Sequence, residues 1–209
     1  MSMAGNDERE ARRRYVRNRR RTVFTLVVAV IVTLVLVSSV FLFHIGGAGL
    51  QSTAQAAPNY GHVVPCAPTD RSNPKAKYVS ASTISIRVLN GTDSTGFAQA
   101  VGDALTNRGF ALTSVTNYSS TNVHRTRIYF GKNAIIQAYT VNSNFTDAAM
   151  IMDDRSDMLV DIVLGSTFSN LRSKKKVPSS GSDITSFSGC KAASSMTNLP
   201  KALEHTAVK

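Results

Sequence analysis

ISIRVLNGTDSTGFAQAVGDALTNRGF, residues 84–110, contains one strand, one turn and one helix in immediate succession. Ile84, Ile86 and Val88 alternate with Ser85 and Arg87, which is the period of a half-buried strand. Asn90-Gly91-Thr92-Asp93-Ser94-Thr95-Gly96 is a dense turn cluster in which Asp93, Ser94 or Thr95 is placed to cap a helix. Phe97, Val101, Ala104 and Leu105 then recur at helical spacing, and Gly109 stands where a C′ glycine is expected. The pattern predicts a strand from Thr83 and a helix over 95–108, with Gly102 as its weakest position.

Toward the C-terminus the alternation of elements continues. Phe110–Thr116 reads as a weaker strand, Asn117–Asn122 as a polar loop, and Thr126–Phe130 as a strand ended by Gly131. Asn133–Val141 reads as a short helix with Ile135, Ala138 and Tyr139 inward, and Ala148–Met152 as a short edge strand. Met158-Leu-Val-Asp-Ile-Val-Leu-Gly165 is nearly continuous apolar sequence, as expected of a central strand buried on both faces. This order predicts an α+β fold, a βαββαβ-type two-layer sandwich. Its sheet is expected to be mostly antiparallel, with two helices on one face.

Toward the N-terminus the chain changes character. Val23–Ile45 is a run of 23 residues without charge, long enough for the about 20 residues that cross a bilayer core. Arg12, Arg13, Arg14, Arg17, Arg19, Arg20 and Arg21 precede it, and basic flanks of this kind stay cytoplasmic. A single transmembrane helix over 22–45 is therefore expected to precede the folded domain, with a cytoplasmic arginine-rich tail at 1–21. The alternative is a cleaved signal peptide, because Ala54-Gln55-Ala56 before Ala57 has the small-residue pattern of a cleavage site. The apolar run exceeds the about 7–15 residues of a signal core, which favours an uncleaved anchor. His44, near the outer end of the run, is read as a neutral interfacial imidazole.

The formal charge of +11 divides between the two parts of the chain. Residues 1–46 carry eight Arg against Asp7, Glu8 and Glu10, and the remainder carries 16 basic against 10 acidic residues. Half of the basic excess is thus a topology signal and gives no reason to expect nucleic acid. The other half, +6 on the outer side, suits anionic envelope polymers or lipids. Residues 46–80 read as an extracytoplasmic linker, 81–172 as the domain, and 173–209 as a basic, serine-rich tail.

The two cysteines, Cys66 in the linker and Cys190 in the tail, lack zinc spacing and fall where disulfides persist. A bridge between them would pin both flanks, which have no apolar periodicity with which to dock by themselves. Two free thiols are the alternative.

Few residues suggest chemistry. Gly91 and Gly96 have phosphate-loop spacing, but Phe97 and Ala98 stand where Lys and Ser or Thr are needed. Asp153, Asp154, Asp157 and Asp161 form an acidic cluster that reads mainly as a solvated turn. His62, His124 and His205 have no nucleophile at triad spacing, and no metal or cofactor is expected. The sequons at Asn90, Asn117 and Asn144 have meaning only in a secretory system that uses them. Arg172, Lys174, Lys175 and Lys176 form a cationic run that reads as a solvated face or an anion-contacting patch.

Val88-Leu89-Asn90-Gly91-Thr92, Gly96, Arg108-Gly109-Phe110 and, later, Val163-Leu164-Gly165 with Phe168 resemble the pattern of the C-terminal domain family of LytR-type cell-envelope proteins. The resemblance covers about 90 residues, Ile84 to about Leu171. It implies an accessory, membrane-anchored envelope protein of bacteria. The glycopolymer-transferring catalytic domain of LytR-type proteins has no counterpart in these residues, so no catalytic residue carries over. The expectation is a non-enzymatic, extracytoplasmic binding module for an anionic wall polymer or an envelope protein. The alternative is an envelope hydrolase or transferase that uses Asp153, Asp154 and Asp157.

Overall fold

The structure, a computed structural model, describes residues 21–38, 58–69 and 74–208. The chain forms two compact units, residues 1–55 and 56–209. In the first, helix α1 (Arg21–Ser38) has a mean hydropathy of 2.4 and is long and apolar enough to cross a membrane. The arginine-rich stretch before it, the rest of the apolar run with His44, and the Ala54–Ala57 motif lie outside the described residues.

The second unit is built on a five-stranded sheet. Its elements are β1 (Ser85–Asn90), α2 (Phe97–Thr106), β2 (Ala111–Asn117), β3 (Arg127–Phe130), α3 (Ile135–Asn142), β4 (Ala149–Met152) and β5 (Val160–Leu164), with the strands in the order β2-β1-β5-β3-β4. α2 is shorter than the sequence pattern suggests, and no side chain caps it. Gly96 takes the N-cap position at φ 76°. Asn90 organises the turn instead, donating from Nδ2 to Ser94 O and accepting from the Thr92 N–H and hydroxyl at Oδ1. At the other end the Phe110 N–H bonds Leu105 O and the Gly109 N–H bonds Thr106 O, a Schellman closure with Gly109 at φ 96°.

The sheet is mixed, not mostly antiparallel. β1 pairs with β2 and β3 pairs with β4 in parallel, because a helix returns the chain to the start of the sheet in each half. β5 follows the second half without an intervening helix. It inserts between the halves, parallel to β1 and antiparallel to β3, with Ile162 opposite both Val88 and Ile128. All five β5 residues are buried, as the apolar run predicts. β4 is an edge strand, as expected, and the Asn59 amide closes its edge by bonding Met150 N–H and C=O.

Both helices cover one face. Ala98, Val101 and Leu105 of α2 and Ile135 and Ala138 of α3 pack on Ile86, Val88, Ile128, Phe130, Ile162 and Leu164. The opposite face carries a smaller cluster of Leu89, Val123, Tyr129 and Val163, covered in part by Leu203.

The domain is larger than residues 81–172. Val64, Ala67, Ala76 and Ile184 belong to the main core, so the stretches read as linker and tail are docked. They also pair with each other. Cys66 N–H bonds Lys191 O, Lys191 N–H bonds Val64 O, and Ile184 N–H bonds Ala76 O. The Cys66–Cys190 disulfide lies in this pairing, with a Cα–Cα distance of 4.9 Å. The bridge is therefore not the flanks' sole attachment to the domain. Backbone hydrogen bonds and isolated apolar residues dock them without any periodic pattern.

Two outcomes are expected. The sequence separation of 124 gives a bridge stabilisation of at most about 5 kcal/mol in the chain-entropy model. Cys66→Ser/Cys190→Ser should lower the denaturant midpoint, yet the Ile184 amide should stay protected from hydrogen exchange below the transition. A Cβ on Gly91 would lie 2.5 Å from Leu164 O and 2.7 Å from a Val123 methyl, so Gly91→Ala should cost about 1–3 kcal/mol in the same measurement.

Candidate functional site

Most of the motif residues are accounted for by folding. Val88, Leu89, Val163 and Leu164 are buried in the sheet, and Asn90 and Thr92 hold the β1–α2 turn. Gly91 and Gly165 let backbones approach: a Cβ on Gly165 would lie 2.4 Å from the Arg125 carbonyl carbon. Gly96 and Gly109 supply positive φ at the two ends of α2, and Phe110 is buried. Phe168 packs its ring on Phe97 at 5.6 Å and on Phe145 at 5.8 Å. Arg108 is different. It is half-buried, donates to Asn144 Oδ1 at 3.0 Å, and faces a cleft.

The acidic cluster is occupied by the fold. Asp153 and Asp161 are fully buried beneath the opposite face of the sheet. Arg155 donates to Asp153 through Nε and Nη2 and reaches Asp161 Oδ2 at 2.9 Å. Arg87 grips Asp161 through Nε at 2.8 Å and Nη2 at 2.7 Å. Two arginines and two aspartates thus form a neutral buried quartet. Burial alone would lower the Arg155 pKa, but the two carboxylates reverse this and raise it. Asp154 accepts the Ala202 N–H, and Asp157 accepts the Val208 N–H and contacts His205 Nε2 at 3.0 Å. The Glu204 carbonyl accepts from Arg87. These carboxylates hold each other's partners and the C-terminal segment. The cluster is not the solvated turn that the sequence suggested, because Asp153, Arg155 and Asp161 lie below the surface.

The cationic run is divided by the fold. Arg172 bonds the carbonyls of Ser143 and Phe145 after the end of α3, and Lys174 bonds Asn107 O at the end of α2. Lys174 borders a cleft of about 500 Å³ with Arg108, Ser80, Ser82, Asn107 and Asn144. Lys176 and Arg172 border an adjoining cleft of about 360 Å³ with Tyr78 and Phe187. Lys175 borders neither.

The cations of the described residues divide by charge compensation. Arg87, Arg125, Arg155, Lys75 and Lys77 each have a carboxylate partner. Among the described residues, Arg108, Arg172, Lys174 and Lys176 form no salt bridge, and neither do Arg127, Lys132, Lys175, Lys191 and Lys201, away from these clefts. Each helix C-terminus contributes only about −0.5 charge, so two ends leave four full cations largely uncompensated. Burial lowers the Arg108 pKa, the mark of a cation that has lost water without gaining a carboxylate.

Burial also raises the phenol pKa of Tyr78, where the Arg172 charge opposes it, and those of Tyr139 and Tyr118. The neutral phenol is thus favoured in the folded state. Its contribution to stability is complete below the unfolded value of about 10 and is lost as pH rises through the raised folded values.

An apolar helix of membrane-crossing length and a disulfide-closed α+β domain are consistent with an extracytoplasmic, envelope-associated domain. Residues 83–168 match the model of the family described as LytR cell envelope-related transcriptional attenuator, as the motif resemblance implies. The soluble domain (residues 71–217) of a conserved hypothetical secreted protein from Mycobacterium marinum is similar at 26% identity, covering 47% of this chain and 70% of that one, with a TM-score of 0.44. No curated protein matches the chain.

Asp161→Asn should destabilise the domain by about 3–5 kcal/mol in chemical denaturation, because it leaves Arg87 and Arg155 without their shared buried carboxylate. Alkaline titration should show stability falling above about pH 10, with tyrosinate absorbance rising in step with unfolding.

Proposed function

We propose that this chain is a single-pass membrane protein with its N-terminus in the cytoplasm and its domain outside, and that the domain binds an anionic wall polymer without catalysing a reaction. The observation that carries the binding reading is Arg108. It is a family-motif residue with a charged side chain in a cleft, beside Lys174, with no carboxylate in the cleft lining. The arginines before α1 support the orientation through the positive-inside tendency. The Cys66–Cys190 bridge supports an oxidising compartment for the domain.

The hydrolase or transferase alternative has less support. Acid–base chemistry by paired carboxylates needs groups that a substrate can reach. Asp153 lies in the buried quartet, and Asp154 and Asp157 hold the C-terminal segment.

Two measurements test the proposal. The full chain in detergent micelles should bind purified anionic wall polymer, with affinity falling as salt is raised. Arg108→Gln with Lys174→Gln should weaken that binding about tenfold or more, on the scale of hydrogen bonds to charged groups. Unchanged binding would remove the site. For topology, a reporter active only in the cytoplasm should be silent when fused after Lys209, and activity there would overturn the orientation.

A further inference from the structure

The cleft around Arg108 is not isolated. Pro178 borders both it and the cleft of Arg172 and Lys176. Asn142, Arg172 and Phe187 border that second cleft and a third, of about 250 Å³, which reaches Tyr60. The three openings therefore share walls and form one track past the C-terminal ends of α2 and α3. No carboxylate lines any of them. The nearby acids are already matched: Asp183 lies between Lys75 and Lys77, and Asp147 faces Arg125.

The layout along the track is informative. Cations occur one or two per cleft: Arg108 with Lys174, then Lys176 with Arg172, which also borders the third. Between them stand uncharged hydrogen-bonding groups, among them Ser82, Ser143 and Ser186, and the rings of Tyr78, Phe187 and Tyr60. A compact anion is held by donors that converge on one point, whereas these are spread out. The clefts of about 500 and 360 Å³ lie in the lower half of the about 300–1,000 Å³ of a pocket that engulfs its ligand, and the third, about 250 Å³, lies below it. Cations with hydroxyls or amides line every cleft, and rings line the second and third, which suits a chain of hydroxylated rings bearing acidic groups.

We propose that the track holds a linear anionic glycan across several sugar units, with Arg108 and Lys174 at one end and Lys176 in the middle. This rests on the binding reading above and adds that the ligand is read as a chain. Neighbouring clefts then act as linked sites, and affinity grows with ligand length until the track is full.

The test uses the full chain in nanodiscs and titrates galacturonic acid, its dimer, tetramer and octamer, neutral malto-oligosaccharides of the same lengths, and short-chain polyphosphate. Affinity for the uronates should rise at least tenfold from dimer to octamer. The neutral series should bind at least tenfold more weakly than the octamer, as should polyphosphate. Arg108→Gln, at a half-buried position, and Lys176→Gln, at an exposed one, should each lower octamer affinity about five- to tenfold. The double variant should multiply the losses, as expected for separated contacts. Circular dichroism should be unchanged in all three and the unfolding midpoint unchanged in Lys176→Gln, while Arg108→Gln loses its bond to Asn144 and should lower the midpoint slightly without unfolding the domain.

Uronate binding without length dependence, sensitive to Arg108→Gln but not to Lys176→Gln, would overturn the track and leave the single-cleft reading standing. Equal affinity for polyphosphate and the octamer would reduce recognition to charge and overturn the glycan. Failure of every anionic probe, together with failure of the purified wall polymer, would remove both readings.

Discussion

The insertion of β5 between two helix-linked strand pairs is the constraint on which the domain depends. Neither β1-α2-β2 nor β3-α3-β4 pairs directly with the other, and β5 joins them by bonding β1 on one edge and β3 on the other. Its five buried residues supply both faces of the sheet, with Ile162 and Leu164 toward the helices and Val163 toward the opposite side. The strand ends where backbones meet at close range, at Gly91 against Leu164 O and at Gly165 against the Arg125 backbone. The family motif is largely a record of this junction. Its glycines allow the approach, Asn90 shapes the turn beside it, and Phe168 seals the helix side.

The two faces of the sheet differ in how their charges are handled. On the side away from the helices, Arg87, Arg155, Asp153 and Asp161 neutralise one another in the interior, where an unpaired charge would cost several kcal/mol. Asp154 and Asp157 then hold the final residues of the chain over this side. Near the helix C-termini, positive charge is left over. Arg108, Arg172, Lys174 and Lys176 thus make a local positive excess beside the clefts there, whose linings hold no carboxylate. Such a field favours encounter with polyanions at low salt without itself fixing which one.

Much of the core was readable from periodicity because periodicity reports burial directly. The alternation at Ile84–Val88, the helical spacing from Phe97 to Leu105 and the apolar run 158–165 each became the expected element. The sense of strand pairing was misjudged, although each helix between two strands already implied a parallel return. The flanks were harder to read. Val64, Ala67, Ala76 and Ile184 are single apolar residues in polar stretches, and backbone hydrogen bonds that leave no trace in side-chain pattern do the rest. Asp161 and Asp157 looked solvated because their partners Arg87 and His205 lie far away in sequence, whereas Asp153 pairs with the neighbouring Arg155. Asp161 inside an otherwise apolar strand was the one local sign of a buried counter-charge. The clefts could not be read at all, since Arg108, Tyr78 and Lys176 come together only through the fold.

The bond between Cys66 and Cys190 also changes what the chain is as a covalent object. It closes residues 66–190 into a ring with the apolar helix on one arm and residues 191–209 on the other. A single peptide cut anywhere inside the ring opens it without freeing either half, because each fragment remains linked through sulfur to the arm that carries the helix. Outside the ring, one cut beyond Cys190 loses only the final segment, whereas one cut between the helix and Cys66 separates the whole ring from the helix. A first nick inside the ring would therefore leave the chain's mass attached, so single-cut shedding is confined to the stretch between the helix and Cys66.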